Sequence, residues 1–277
     1  MAMVINHNLS SITAQRNLAH TGRALSNSFQ KVSSGLRINK AADDAAGLGV
    51  AENLNAASRS AKVAMRNTND GISVVQTAEG STSEVGNIIK RMRELAVQSS
   101  SETLASQERG YIQDEFNELS AEVDRIAAVT EFNGLKLTNG SNTTGLAVQV
   151  GVNNTSNDRI SITLGDLRAT ALGVDTAAMS LSTITGARSA ITNLDTALDS
   201  INSIRSTYGA TQNRLNDSLT NMEVYSENLI AAESQIRDVD FASETAEMAK
   251  QQLMQQAGMS VLAQTGQSQQ GVLSLIG

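Results

Sequence analysis

The sequence predicts a mainly α protein: an elongated bundle of long helices, a coiled coil made from its two ends, and a small β-hairpin region. Three observations predict this. Apolar residues recur at steps of three and four over runs much longer than an average helix. The 277-residue chain has no Pro, so no ring clash interrupts those runs. Sustained apolar alternation appears near the middle of the chain and marks strands there.

The elements follow in order. Near the start, Ile5, Leu9 and Ile12 share one helical face. After an interruption around Arg16, His20 and Gly22, the face resumes with Leu25, Phe29, Val32 and Leu36. Asp43 or Asp44 is placed to cap the next helix, since Asp accepts from free amides and favours the positive end of the helix dipole. That helix, predicted over 44–99, carries a heptad seam: Leu54, Ser58, Ala61, Met65, Thr68, Ile72, Val75, Ala78, Thr82, Val85, Ile89, Met92 and Ala96. Its length would be on the order of 80 Å. A compact domain of 29.2 kDa is narrower than that, so the sequence predicts a rod.

A second helix is expected over 104–129, with Ile112, Phe116, Leu119, Val123 and Ile126 on its seam. Phe132-Asn-Gly134 supplies the turn that stops it. Leu146, Val148, Val150 and Val152 alternate with small or polar residues, as do Ile160, Ile162 and Leu164. This is a β-hairpin within a region spanning 138–182. A third helix over 183–234 carries Ile184, Ala187, Ile191, Leu194, Leu198, Ile201, Arg205, Tyr208, Gln212, Leu215, Leu219, Met222, Ser226 and Leu229. Arg205, Gln212 and Ser226 are polar interruptions that fix register at some cost in stability.

At the far end, Met248, Leu253, Met254, Ala257, Met259, Val261 and Leu262 cover more than one stripe, and Val272-Leu-Ser-Leu-Ile276 is apolar. One neighbouring helix cannot bury so wide a face, which points to further copies of the chain. The resulting division is 1–40 and 241–277 as the two halves of a terminal domain, and 41–240 as a rod domain.

Composition narrows the function. There is no Cys, and the two histidines, His7 and His20, do not share a helical face, so metal and nucleophile sites lack their usual ligands. A net charge of −7 disfavours nucleic acid or an anionic membrane as the main partner. No apolar run reaches the length of a membrane span, and the first residues lack a basic and apolar leader, so any export is expected by another route. Gly47-Leu-Gly49 is a fragment of a phosphate loop without a preceding strand. Arg91, Arg93 and Glu94 read as a solvated helix face. No cofactor and no catalytic residue is expected.

Several motifs together resemble the bacterial flagellins. They are Ile5-Asn-His-Asn-Leu-Ser10, Ser33-Ser-Gly-Leu-Arg-Ile-Asn39, Ala42-Asp-Asp-Ala-Ala-Gly-Leu48, Arg66-Asn-Thr-Asn-Asp-Gly-Ile72, Gln76-Thr-Ala-Glu-Gly80, Arg93-Glu-Leu-Ala-Val-Gln98 and Phe132-Asn-Gly134. Ser226-Glu-Asn-Leu229, Ala231-Ala-Glu-Ser234, Ile236-Arg-Asp-Val-Asp240, Gln255-Gln-Ala-Gly258 and Val272-Leu-Ser-Leu275 continue them in the second half. The resemblance implies a subunit that polymerises into the flagellar filament, exported through the flagellar type III apparatus into the extracellular space. It implies a terminal coiled coil as the self-assembly element, with Ile5, Leu9, Ile12, Leu25, Phe29, Val32, Met254, Met259, Leu262, Leu273 and Leu275 as its apolar residues. It implies an export chaperone, cap proteins and junction proteins as partners. It also implies contact with a Toll-like innate receptor through Arg91 and Glu115, with Leu95 as an apolar anchor.

The chain departs from the family in lacking large outer domains, in Lys90 where Gln is common, and in Gln267-Ser-Gln-Gln-Gly271 where a Pro is often found. Two other readings share part of the pattern. A hook–filament junction protein shares the terminal patterns. A chemoreceptor-like signalling coiled coil would need a membrane span and a helical tip where the hairpin stands.

Overall fold

The computed structural model describes residues 8–142, 144–176 and 179–276, with side chains as far as Gln267. Helices α1 (Leu9–Ser34), α2 (Ala45–Ser99), α3 (Ser106–Val129), α5 (Ile184–Arg237) and α6 (Phe241–Ile276) make up most of it. Strands β1 (Glu131–Phe132), β2 (Leu135–Lys136), β3 (Leu146–Gln149) and β4 (Arg159–Ile162) form two antiparallel hairpins, and α4 (Ala169–Leu172) is a single turn. Contacts divide the chain into two units. One takes the residues up to Ser58 and those from Asn228 onward; the other is Arg59–Glu227.

In the Arg59–Glu227 unit the predicted α2 seam is the buried face. Ala61, Thr68, Val75, Ala78, Thr82, Val85, Ile89, Met92 and Ala96 are all buried, whereas Met65 and Ile72 are half-buried. Val85, Ile89, Met92 and Leu95 pack with Phe116, Val123, Leu194 and Ile201 in one core. Val75 and Ala78 pack with Ile160, Ile162, Tyr208 and Leu215 in a second.

The α2–α3 connection is held by a residue the seam pattern does not reveal. Arg109 is 8% exposed, and its guanidinium donates to the Ser99 carbonyl at 3.0 Å and to the Ser101 carbonyl at 2.7 Å. Its bond to the Ser99 carbonyl, the last of α2, also sets a cation at the negative end of that helix dipole. At the start of α3, the Glu108 carboxylate accepts from the Ala105 amide at 3.0 Å, half of a capping box.

The middle region contains the expected hairpin, with Leu146 opposite Ile162 and Val148 opposite Ile160. Ile160 and Ile162 are buried against α2 and α5. Phe132-Asn-Gly134 does more than stop α3. Asn133 and Gly134 take positive φ values of 50° and 78°, the pairing a tight two-residue hairpin needs, and β1 and β2 close around them.

Two seam positions are corrected. Arg205 does not lie inside α5's buried face; it is exposed, 3.8 Å from Glu79. Ile204 takes the inward place and touches both cores, and Thr211 is buried where Gln212 was expected. Ile204 packs where Gly165 has no side chain, since a Cβ built there would stand 2.7 Å from Ile204 Cδ1. Tyr208 keeps its seam place, fully buried, with Gly165 donating its amide to the Tyr208 hydroxyl at 3.0 Å.

In the other unit, α1 and α6 run side by side, antiparallel. Lys31 lies 4.0 Å from Glu244 near one end. Further along, a Cβ added at Gly258 would stand 3.3 Å from Leu18 Cδ1. The α1 helix continues through Arg16, His20 and Gly22 without a break. Asn8 caps it by accepting from the Ser11 amide at 3.0 Å. Gly35 closes it in the left-handed conformation, φ 72°. Its connector crosses the end of α5: Arg37 donates its amide to the Arg237 carbonyl at 2.6 Å, and Val239 donates to Gly35 at 3.0 Å. Asp44 caps α2 through the Gly47 amide at 2.9 Å, while Asp43 accepts from Asn39 and Lys40 in the turn before it. Those two backbone hydrogen bonds, Lys40 first, hold the Asp43 carboxyl below the usual carboxylate range.

Candidate assembly surface

The seam of the helix pair α1–α6 mixes polar and apolar residues. On α1 the residues turned toward α6 are Ser11, Ala14, Leu18, Thr21, Leu25, Ser28 and Val32, spaced as heptad neighbours. On α6 the matching inward row is Glu244, Met248, Gln251, Gln255, Gly258, Leu262 and Thr265. Most of these are small or polar.

Other large apolar side chains point away from the seam. Leu9 is 71% exposed, Phe29 64% and Leu253 66%, and Ile12, Phe241, Met254, Met259 and Val261 are each about half exposed. Of the predicted assembly residues, then, Leu9, Ile12, Phe29, Met254 and Met259 face outward. Leu25, Val32 and Leu262 are half-buried in the seam between the two helices. Ile5, and the side chains of Leu273 and Leu275, lie outside the described residues. Isolated exposed hydrophobic residues are ordinary, but two long helices that jointly turn Leu, Ile, Phe, Val and Met outward form a sticky face.

Among the described residues no cluster of His, Asp or Glu could hold a metal ion, and no helix is long and apolar enough to cross a membrane.

The second predicted site is in the Arg59–Glu227 unit. Arg91 Nη2 lies 2.8 Å from Glu115 Oε1, and Arg91 Nη1 lies 3.0 Å from Glu94 Oε2. The hydrogen bond to Glu115, then that to Glu94, raises the Arg91 pKa further above its already high value. Both partners are exposed. Leu95, expected as an apolar anchor, is 1% exposed and sits in the core with Phe116. It lies three residues after the buried Met92, on the seam side of α2, so it braces the α2–α3 pair from behind and offers nothing to a partner.

Two family descriptions match the chain: the bacterial flagellin N-terminal helical region over residues 5–143, and the C-terminal helical region over 191–276. The chain belongs to the bacterial flagellin family. A flagellin of Halalkalibacterium halodurans is 44% identical over 274 residues, covering 99% of this chain and all of the relative. A Bacillus subtilis flagellin is 37% identical over 307 residues, again covering 99% of this chain and all of the relative. The crystal structure of Bacillus cereus flagellin is 31% identical, with a TM-score of 0.50 over 57% of this chain and 88% of that one. As a flagellin, the chain is a structural subunit of the bacterial flagellar filament and not an enzyme. Flagellins self-assemble into that extracellular filament, and this one is a short form without large outer domains.

Proposed function

We propose that the outward apolar side chains of the α1–α6 pair form the surface by which this subunit polymerises. The observation that supports this is the set of large apolar side chains the pair leaves uncovered: Leu9, Phe29, Met254 and Met259. Burying a Leu, Phe or Met side chain is worth about 1.5–3 kcal/mol. Several such residues are therefore worth covering, and in a homopolymer the cover is other copies of the chain. Chains with Leu9→Asp and Phe29→Asp should stay monomeric by sedimentation where the parent chain forms filaments visible by electron microscopy. Ordinary filaments from the double variant, or from a chain without its first and last forty residues, would sink the reading.

The same reading includes export through the flagellar type III apparatus, an export chaperone held on the apolar C-terminal segment, and cap and junction proteins at the filament ends. A fusion of residues 1–40 to a reporter should be exported only by cells with that apparatus. Recognition of the free monomer by a Toll-like receptor would use the Arg91–Glu115 pair, which is exposed on the described chain.

A further inference from the structure

A stripe of unpaired cations lies on α2. Arg59, Lys62 and Arg66 follow one another at three and four residues on one exposed face. None has an ion-pair partner among the described residues, and neither Glu223 nor Glu227 of α5 pairs with any of them. Three like charges kept together without counter-charges cost electrostatic energy that an anionic neighbour would recover. Beside the stripe runs an open groove of roughly 370 Å³ between α2 and the loop of the β3–β4 hairpin. Ser60, Val63, Asn67, Gln149, Val152 and Asn153 are among its lining residues. Val63 is 43% exposed and forms the edge shared by groove and stripe.

The complement stands on α3. Tyr111, Asp114 and Glu118 follow one another at three and four residues on an exposed face. Tyr111 is 66% exposed, and neither carboxylate has an ion-pair partner among the described residues. The Arg91–Glu115 pair sets this acidic stripe beside Arg91 of α2. The basic and acidic stripes are therefore ~40 Å apart along the helix axis at about 1.5 Å per residue. They cannot meet within one chain.

We propose that the Val63 groove with its basic rim seats the Tyr111–Asp114–Glu118 stripe of a second copy. Tyr111 packs against Val63 at the groove edge, and the two carboxylates meet Arg59, Lys62 and Arg66. Because donor and acceptor surfaces differ, the contact is head-to-tail. Each copy leaves one surface free at either end, so the contact propagates without closing. The proposal rests on the chain being a filament subunit and specifies which two of its surfaces meet, staggered by the distance between the stripes.

The test uses the full chain polymerised in solution. One variant carries Arg59→Glu, Lys62→Glu and Arg66→Glu; a second carries Asp114→Lys and Glu118→Lys. Each alone should raise the critical concentration for polymerisation at least about tenfold, since it sets like charges against each other. An equimolar mixture of the two, or a single chain carrying both sets, should polymerise close to the level of the parent. Circular dichroism of each monomer confirms folding, and the mixture reads the contact without requiring all five changes in one chain. Unchanged polymerisation of either variant overturns the proposal, as does a mixture no better than its components. Failure of the parent chain itself to form filaments would instead count against the filament reading.

Discussion

The Arg91 guanidinium and the Glu115 carboxylate close an ion pair at 2.8 Å that ties α2 to α3 across an exposed surface, while Leu95, four residues after Arg91, is buried. The three residues therefore have different jobs, although the resemblance groups them. Arg91→Ala should leave the thermal midpoint of the monomer close to the parent's, because exposed ion pairs contribute little. The same change should weaken monomer binding to the receptor ectodomain. Leu95→Ala should instead cost about 2–5 kcal/mol in urea unfolding, by opening a cavity beside Phe116. A Leu95→Ala chain with parental stability would show that the core is not closed there.

Tyr208 carries the second expectation. Its hydroxyl is the acceptor for the Gly165 amide at 3.0 Å, and its ring is fully buried. Tyr208→Phe should cost about 1–3 kcal/mol, because the amide is left without its partner. Burial is the main cause that raises the Tyr208 pKa above the usual 10.0. A phenol with a raised pKa in the folded state is stabilising while the unfolded phenol is still protonated. That contribution is lost as pH climbs from the unfolded value through the folded one. Stability measured above about pH 10 should therefore fall more steeply in the parent than in Tyr208→Phe. Parallel slopes would contradict the assignment.

Gly71 gives a third. It lies inside α2, where Gly is unfavourable, and a Cβ built on it would stand 3.1 Å from Val148 Cγ2 of β3. The helix backbone is where the hairpin rests. Gly71→Val should displace the hairpin and cost about 1–3 kcal/mol through overpacking. Amide exchange in 146–149 and 159–162 should rise more than in α3. Uniform exchange across the unit would mean the hairpin does not depend on that contact.

Heptad spacing made the long helices legible because a seam repeated over many turns outweighs single exceptions. Thr68 and Thr82 could be placed in the core without structure, since only the seam position matters there. Arg205 could not be placed, because Ile204 beside it fits a helical face equally well; the choice depends on Gly165, from a distant segment, leaving room for the Ile204 side chain. Arg109 was hidden for a like reason. Its partners are backbone carbonyls at the end of α2 and in the loop after it, which carry no mark in the side-chain pattern. The assembly face was legible as an excess of apolar residues at both ends, but not its orientation. Pattern alone pairs Leu9, Ile12, Leu25, Phe29 and Val32 with α6; Leu25 and Val32 take that side, together with Ser11, Ala14, Thr21 and Ser28, while Leu9, Ile12 and Phe29 do not.

That mixed seam yields the last expectation. Ser28 and Thr21 on α1, with Gln251 and Gln255 on α6, interrupt Leu18, Leu25, Val32, Met248 and Leu262 and so limit the apolar area that holds the pair together in a single copy. The pair should therefore open readily in the monomer and be held in the polymer, where the outward Phe29, Met254 and Met259 are covered. Amides of 11–32 and 244–265 should exchange fast in the monomer and slowly in the filament. Gln251→Leu together with Gln255→Leu should slow exchange in the monomer by supplying the missing inward apolar surface, while the outward face stays unchanged. If the double variant exchanges as fast as the parent, the polar seam is not what keeps the single-copy pair weak. If parent monomer and filament exchange alike, coverage by neighbouring copies contributes nothing to the order of the two helices.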